Sequence, residues 1–366
     1  MSAAKVTGGD GNIVQYELAP MEGITGYVYR NAYMKYFGGM DRYYTPFIAS
    51  TGLSHKELND VLPEHNEAFL SGEGNGESGG PSRSHLVPQI LTNRAEDFLI
   101  IADKLRQMGY SHVNLNLGCP SGTVVSKGRG AGFLGHPRQL DAFLTEIYEK
   151  CPLSISIKTR IGVADTDQWE ELLQIYKKYP VEELIIHSRL QQDFYKHPIR
   201  WEGVELALEC WEQTKCGIPL CYNGELHSLA EYQSFRQRFP QINRVMLGRG
   251  VLKNPFLAEQ LRRWEQGSAE DGNAEKLQEY GDSKFQERQW KVLWDFHQEL
   301  LEGYREIMSG DQNTLFKMKE LWTYFGESFP DKSKALKKIR KAGNMAQYEA
   351  AVHEVFGNSY GERILK

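Results

Sequence analysis

The sequence predicts an α/β protein, a (β/α)8 TIM barrel followed by a small C-terminal all-helical domain. Short β-branched or aromatic runs alternate with longer amphipathic stretches through residues 1–265, the rhythm of βαβ units and so of a parallel sheet. Eight such units fit the usual size of the closed barrel, roughly 250 residues. Beyond residue 284 the periodicity is purely helical. The competing architecture is an open, doubly wound sheet. It would carry a glycine fingerprint after its first strand, but that strand ends in Ala19-Pro20-Met21 with no such motif.

In chain order the expected strands are YELA (16–19), YYTPFI (43–48), LVPQIL (86–91), HVNLNL (112–117), LSISIKT (153–159), ELIIH (183–187), IPLCY (218–222) and RVML (244–247). Between them lie helical patterns. Leu140, Phe143, Leu144, Ile147 and Tyr148 recur at helical spacing, as do Phe98, Ile101, Ala102, Leu105 and Met108. The Gly/Ser-rich segment 71–84 reads as a mobile loop and the polar segment 266–284 as the linker after the barrel. In 285–366 a stripe of Trp290, Leu293, Trp294, His297, Leu301 and Tyr304 marks the helical domain.

The composition, 40% hydrophobic and 25% charged, is that of a soluble globular chain. No apolar run reaches the ~18 residues of a membrane span, so no membrane partner is expected. The N-terminal stretch lacks the apolar core of an export signal, and the five cysteines show no paired spacing. Together these give an expectation of reduced thiols and a cytoplasmic location. No C-x-x-C or H-x-x-x-H pair suggests a metal. A net charge of −5 argues against a general nucleic-acid coat and against DNA. An RNA partner would need a local basic patch, for which residues 332–341, KSKALKKIRK, with six positive charges and no negative one, are the candidate. Such runs are more often solvated helix faces. No feature points to an obligate protein partner.

Function in a barrel collects at the C-terminal ends of the strands. There the sequence places Pro20-Met21, Gln89, Asn114 and Asn116 with Cys119, Lys158 with Arg160, His187 with Arg189, Asn223-Gly224 and Gly248-Arg249-Gly250. Each alone reads as a cap or turn residue, and the argument lies in their convergence. Glycines after strands seven and eight allow backbone amides to approach an anion, a following helix N-terminus favours one, and Arg249 adds a charge, so a phosphate-bearing cofactor is expected. Lys158 emerges from a buried-looking strand and needs an anionic partner. A flavin supplies one at its N1 and O2 edge, with His187 across the mouth as a second contact.

The stretches LAPMEGITGYVYR (18–30), NLNLGCPSG (114–122), IKTRIG (157–162), IIHSR (185–189), YNGEL (222–226) and VMLGRGVLKNPFL (245–257) resemble, in order and spacing, the tRNA-dihydrouridine synthase family. The resemblance implies FMN in a (β/α)8 barrel, NADPH or NADH as reductant, tRNA as substrate, and a helical domain that helps hold it. It implies Cys119 as proton donor and Asn116 as a contact to the target uracil. Pro20 and Met21 would approach the flavin through their backbone. Gln89, Lys158 and His187 would bind its ring or ribityl region, and Asn223, Gly224, Gly248 and Arg249 its phosphate. Arg160 would contact the substrate's base or backbone. Family members often carry a lysine two residues after the Cys-Pro pair. Gly122 stands there, and basic residues follow at Lys127 and Arg129.

The implied reaction saturates the C5–C6 bond of a uridine. A thiol of ordinary pKa ~8.5 remains protonated at neutral pH yet can release its proton, whereas a carboxylic acid in water would already be ionised. Two alternatives stay open on the residues alone: a flavin barrel reducing a free pyrimidine or another small conjugated molecule, and an RNA-binding protein that retains a flavin site without catalysis.

Overall fold

The computed structural model describes residues 13–70, 85–195, 197–269 and 283–357. Eight strands form one closed barrel in the order β1 to β8, every pair parallel. They are β1 (Gln15–Leu18), β2 (Arg42–Ile48), β3 (Leu86–Ile90), β4 (His112–Leu117), β5 (Ser154–Arg160), β6 (Leu184–His187), β7 (Leu220–Asn223) and β8 (Arg244–Leu247). The seam pairs Gln15 with Arg244 and Leu18 with Leu247. Each expected strand is present. β7 begins two residues later than expected, because the Ile218 carbonyl is taken by the Trp211 indole N–H (2.7 Å) and Pro219 has no N–H to give.

The helices of the barrel are α1 (Tyr27–Tyr36), α2 (His55–Asn59), α3 (Glu67–Leu70), α4 (Ala95–Gln107), α5 (Gly122–Val125), α6 (Pro137–Lys150), α7 (Trp169–Tyr176), α8 (Trp201–Thr214), α9 (Leu229–Arg238), α10 (Arg249–Lys253) and α11 (Leu257–Ala269). α6 shows how the sequence makes them. Pro137 presets its first turn, and Leu140, Phe143, Leu144 and Ile147 are buried as their spacing requires, with Phe143 edge-on to Phe98 and Phe133. The Gly/Ser-rich segment 71–84 lies outside the described residues, as does most of the expected linker, since α11 runs to Ala269 and the next helix begins at Ser283.

Two cores result. The larger lies between strands and surrounding helices and continues into the C-terminal helices. The smaller, Ala19, Tyr44, Val87, Ile185, Cys221 and Met246, is a separate buried cluster drawn almost wholly from strand residues. Near it sits a buried charged group that the sequence did not announce. The Glu183 carboxylate accepts from Tyr44 Oη (3.0 Å) and Arg244 Nη1 (2.9 Å), and Arg42 stands 3.7 Å from both Glu17 and Glu183. Burial and the neighbouring Glu183 push the Glu17 carboxyl well above its ordinary range, so Glu17 holds its proton. Glu17, Glu183 and Cys221 converge closely enough to hold a metal ion, but Arg42 and Arg244 already supply positive charge there.

The C-terminal region is α12 (Ser283–Ile307), α13 (Asp311–Phe325), α14 (Ser333–Lys341) and α15 (Met345–Phe356). Its centre is aromatic: Tyr348 Oη accepts from the Trp322 indole (2.8 Å) and donates to His297 Nε2 (2.6 Å). Burial lowers His297 to about 3, so the ring is neutral and able to accept. The region packs directly on the barrel. Phe296 of α12 meets Tyr29, Tyr36 and Phe37 of and beside α1, and each such ring burial stabilises by about 1.5–3 kcal/mol. Gly303 permits the approach, since a Cβ there would lie 2.7 Å from Val28 Cγ1.

Candidate functional site

The mouth of the barrel is organised around the loop after β4. Asn116 Oδ1 accepts from the backbone N–H of Gly118 (3.0 Å) and Cys119 (2.9 Å), which turns the chain sharply and sets Cys119 at the rim. Other groups pin the same loop. Arg160 Nε donates to the Gly118 carbonyl (2.9 Å), Ala131 N–H to Cys119 O (3.1 Å) and Gln191 Nε2 to Pro120 O (3.2 Å). Gly130 backs it at φ +54, where a side chain would press on Cys119 O at 2.8 Å. The Cys119 thiol is half-buried. Burial pushes its pKa up, opposed by a hydrogen bond from Ser121 N–H and by the fields of Lys158 and Arg160. The sulfur therefore shares one electrostatic environment with both cations, and it carries its proton at neutral pH.

Lys158 stands beside this loop because β4 and β5 pair Asn116 with Lys158 in register. Desolvation and Arg160 lower its ammonium to about 8. Among the described residues no carboxylate or hydrogen-bond acceptor pairs with it. A cation left half-buried without a partner is costly unless a ligand completes it. Arg160, expected at the substrate, is held by the protein's own backbone beside the Cys119 loop. It is fully buried, with Nη1 on Leu190 O (2.7 Å) and Nη2 on Phe194 O (3.0 Å), besides Nε on Gly118 O. All three nitrogens bind backbone carbonyls, so it staples the loops after β4 and β6 together.

His187 ends β6. Arg189 Nη1 lies 3.2 Å from its Nε2, and a guanidinium can only donate, so Nε2 accepts and Nδ1 carries the hydrogen. Burial and the cations Arg160, Lys158, Arg189 and Arg249 hold this ring neutral, well below its ordinary pKa. Arg189 also donates to Glu225 (2.7 Å), which pairs with Arg249 and with His227 (3.2 Å). Arg249 is thus not an isolated charge. Glu225 holds it from one side, and the Tyr195 ring lies 4.6 Å from its guanidinium carbon. α10, which opens at Arg249, has only five residues, so the charge in this loop comes mainly from the arginines, less from a helix terminus.

The remaining expected residues line the same end of the barrel. Gln89 lies on β3, and its side-chain amide receives Asn116 Nδ2 on Oε1 (2.7 Å). Asn223 Nδ2 donates to Met246 O (2.9 Å) and ties β7 to β8. A Cβ on Gly224 would strike Tyr222 Oη at 2.0 Å, so its bareness serves packing of the chain itself. Gly248 faces Ala19 and the Met21 sulfur, at 3.4 and 3.7 Å from its notional Cβ. Pro20 and Met21 follow β1 in a turn that uses Met21's own backbone groups: N–H to Thr25 Oγ1 (2.8 Å), carbonyl from Ile24 N–H (2.9 Å).

Three participants were not singled out from the sequence: Glu225, Tyr195 and, on β5, Ser156, whose Oγ accepts from Asn114 Nδ2 (2.8 Å). Glu225 and Tyr195 sit in ordinary-looking loops and gain meaning only beside Arg249. Ser156 had one faint signal, a small polar residue at an inward position of ISIK. As a whole the mouth offers a protonated thiol, an unpaired ammonium, neutral His187 and a cluster of arginines. That set fits a planar cofactor carrying negative charge near Lys158 and phosphate near Arg249, with a second molecule beside the thiol.

Residues 17–347 match the family model described as dihydrouridine synthase. The probable tRNA-dihydrouridine synthase 2 of Bacillus subtilis (strain 168) is 26% identical over 295 residues, spanning 79% of this chain and 86% of the relative. The probable tRNA-dihydrouridine synthase of Staphylococcus aureus (strain Mu50 / ATCC 700699) is 27% identical over 242 residues, 66% of this chain and 70% of the relative. Among solved structures, morphinone reductase in complex with tetrahydroNAD aligns at 12% identity with a TM-score of 0.46, covering 68% of this chain and 86% of that one.

Proposed function

Because the chain belongs to the dihydrouridine synthase family, we propose that it reduces a uridine of tRNA to 5,6-dihydrouridine with FMN as cofactor and NADPH or NADH as reductant. The observation that carries this reading is the convergence at one mouth of a protonated Cys119 thiol, on the loop after β4, and the Lys158 ammonium of the adjacent β5, which has no partner among the described residues. When bound, the reduced flavin supplies the hydride that uracil C6 must receive. Lys158 and the neutral His187 would hold its ring, with Gln89 beside them. Arg249, Gly248, Gly224 and Asn223 would line its phosphate end, and Pro20 and Met21 one face.

Cys119 gives its proton to C5 of the base. It suits the task because burial keeps the thiol protonated at neutral pH, while Lys158 and Arg160 nearby ease formation of the thiolate left behind. Asn116 does two jobs: its Oδ1 fixes the Cys119 loop, and its position beside the thiol suits a contact to the uracil edge. Arg160 acts through the loops it staples and holds Cys119 in place. The substrate base must leave its stack to enter the mouth, which is least costly in an unpaired tRNA loop. The exposed basic face of α14, with Lys334, Lys337, Arg340 and Lys341, suits the tRNA backbone.

The test is direct. Purified protein should be yellow and release FMN on denaturation. With NADPH it should form dihydrouridine in tRNA transcribed without modification, detected by mass spectrometry of nucleosides. A colourless protein that cannot be loaded with FMN, or loaded protein that leaves tRNA unchanged, would remove the proposal.

A further inference from the structure

We infer that Ser156, acting through Asn114, is a positioning residue for the Cys119 thiol, reaching it from inside the barrel along a chain of side-chain amides. The inference rests on the proposed role of Cys119. Asn116, which fixes the Cys119 loop through Oδ1, donates its Nδ2 to Gln89 Oε1 (2.7 Å). Gln89 Nε2 donates to Asn114 Oδ1 (2.7 Å). Asn114 Nδ2 donates to Ser156 Oγ (2.8 Å), and Ser156 Oγ lies 2.9 Å from His112 Nε2. The series crosses β3, β4 and β5, and its middle members Gln89, Asn114 and Ser156 are almost fully buried.

Each amide has an oxygen end and an NH2 end, and here every one points the same way. A flip of Asn116 would set an NH2 group against the two backbone N–H groups it now receives. That flip would also force Gln89 and Asn114 to turn, because each oxygen is matched to the next nitrogen. The upper end of the chain is fixed by backbone donors, the lower end by the acceptor on Ser156. A hydroxyl can satisfy Asn114 and still offer its own hydrogen to His112. That ring is free to accept it, because burial with Arg42 and Arg244 holds it neutral, at about 3. Alanine at 156 would leave Asn114 Nδ2 buried without an acceptor and release the orientation of everything above it.

The experiment compares Ser156→Ala, Asn114→Leu and Asn114→Asp in the full-length flavoprotein. Each variant is first saturated with FMN, because Gln89 belongs both to the chain and to the proposed flavin site, and reduction of the loaded protein by NADPH should then stay within twofold of wild type. Single-turnover dihydrouridine formation should fall about 10-fold or more in Ser156→Ala and Asn114→Leu, as expected when a reacting group is displaced. Asn114→Asp keeps an acceptor for Gln89 and takes a hydrogen from Ser156, so it should recover most of that rate. Independently of turnover, the pH dependence of Cys119 alkylation by iodoacetamide, read by mass spectrometry, should shift in the two damaged variants and not in Asn114→Asp. Unchanged turnover and alkylation in Ser156→Ala would overturn the inference. So would a loss shared equally by all three variants, or one matched by slower reduction of the loaded flavin by NADPH. If wild type itself made no dihydrouridine, the proposed function would fail, while the alkylation profiles would still judge the chain of amides.

Discussion

At the scale of single residues, Cys119 carries the sharpest expectation. Cys119→Ala should lose about 10²–10⁴-fold in dihydrouridine formation, the usual worth of a positioned acid, while the rate of flavin reduction by NADPH stays put. The pH profile follows from the raised thiol. The protonated form is the active one, so the thiol's share of activity should hold through neutrality and be lost only on the alkaline side, above the ordinary thiol range and above the titration of Lys158 at about 8 in the flavin-free protein. Lys158→Met should weaken FMN retention, measured as flavin released on dilution, because the cation that has no partner among the described residues would be gone. The sequence made Cys119, Lys158 and His187 readable, since each is a chemically distinctive residue at a strand end. It left unread the stapling contacts of Arg160, because a formal charge says nothing about whether three backbone carbonyls are waiting for it.

At the scale of elements, strand and helix positions were legible wherever period and punctuation agreed, as in α6 and β4. The charged interior was not. Glu17 and Glu183 are embedded in YELA and ELIIH, runs whose neighbours argue only for a buried strand, and their partners Arg42 and Arg244 come from distant β2 and β8. The basic face of α14 is open to a salt test. Lys337→Glu with Lys341→Glu should reduce the slope of log affinity for tRNA against log salt by about 2, roughly one per lost phosphate contact, with little change in flavin binding. Lys338 is a poorer choice, because Glu354 already pairs with it (2.5 Å). The centre of the C-terminal helices offers a stability test. His297 takes up its proton near 6.5 when unfolded and only near 3 when folded, so the unfolded state binds more protons between those values. Stability should therefore drop as pH falls from 6.5, by about 1.4 kcal/mol per unit from this group. His297→Gln, followed by urea denaturation at pH 7 and 5, should remove that share of the slope.

At the scale of the molecule, the helical region and the barrel share one continuous core through α1 and α12. Gly303→Val should destabilise the protein by about 1–3 kcal/mol through overpacking against Val28, seen as a lower urea midpoint. Cutting the helices away would also bare Tyr29 and Phe37, so loss of activity in such a truncation would not by itself report on tRNA. The closed ring has a consequence for biosynthesis. β1 finds one of its two neighbours in β8, far downstream. While the ribosome is still delivering the segments between them, β1 has an unfilled edge of backbone amides and carbonyls. The ring therefore cannot be joined until β8 itself has left the ribosome.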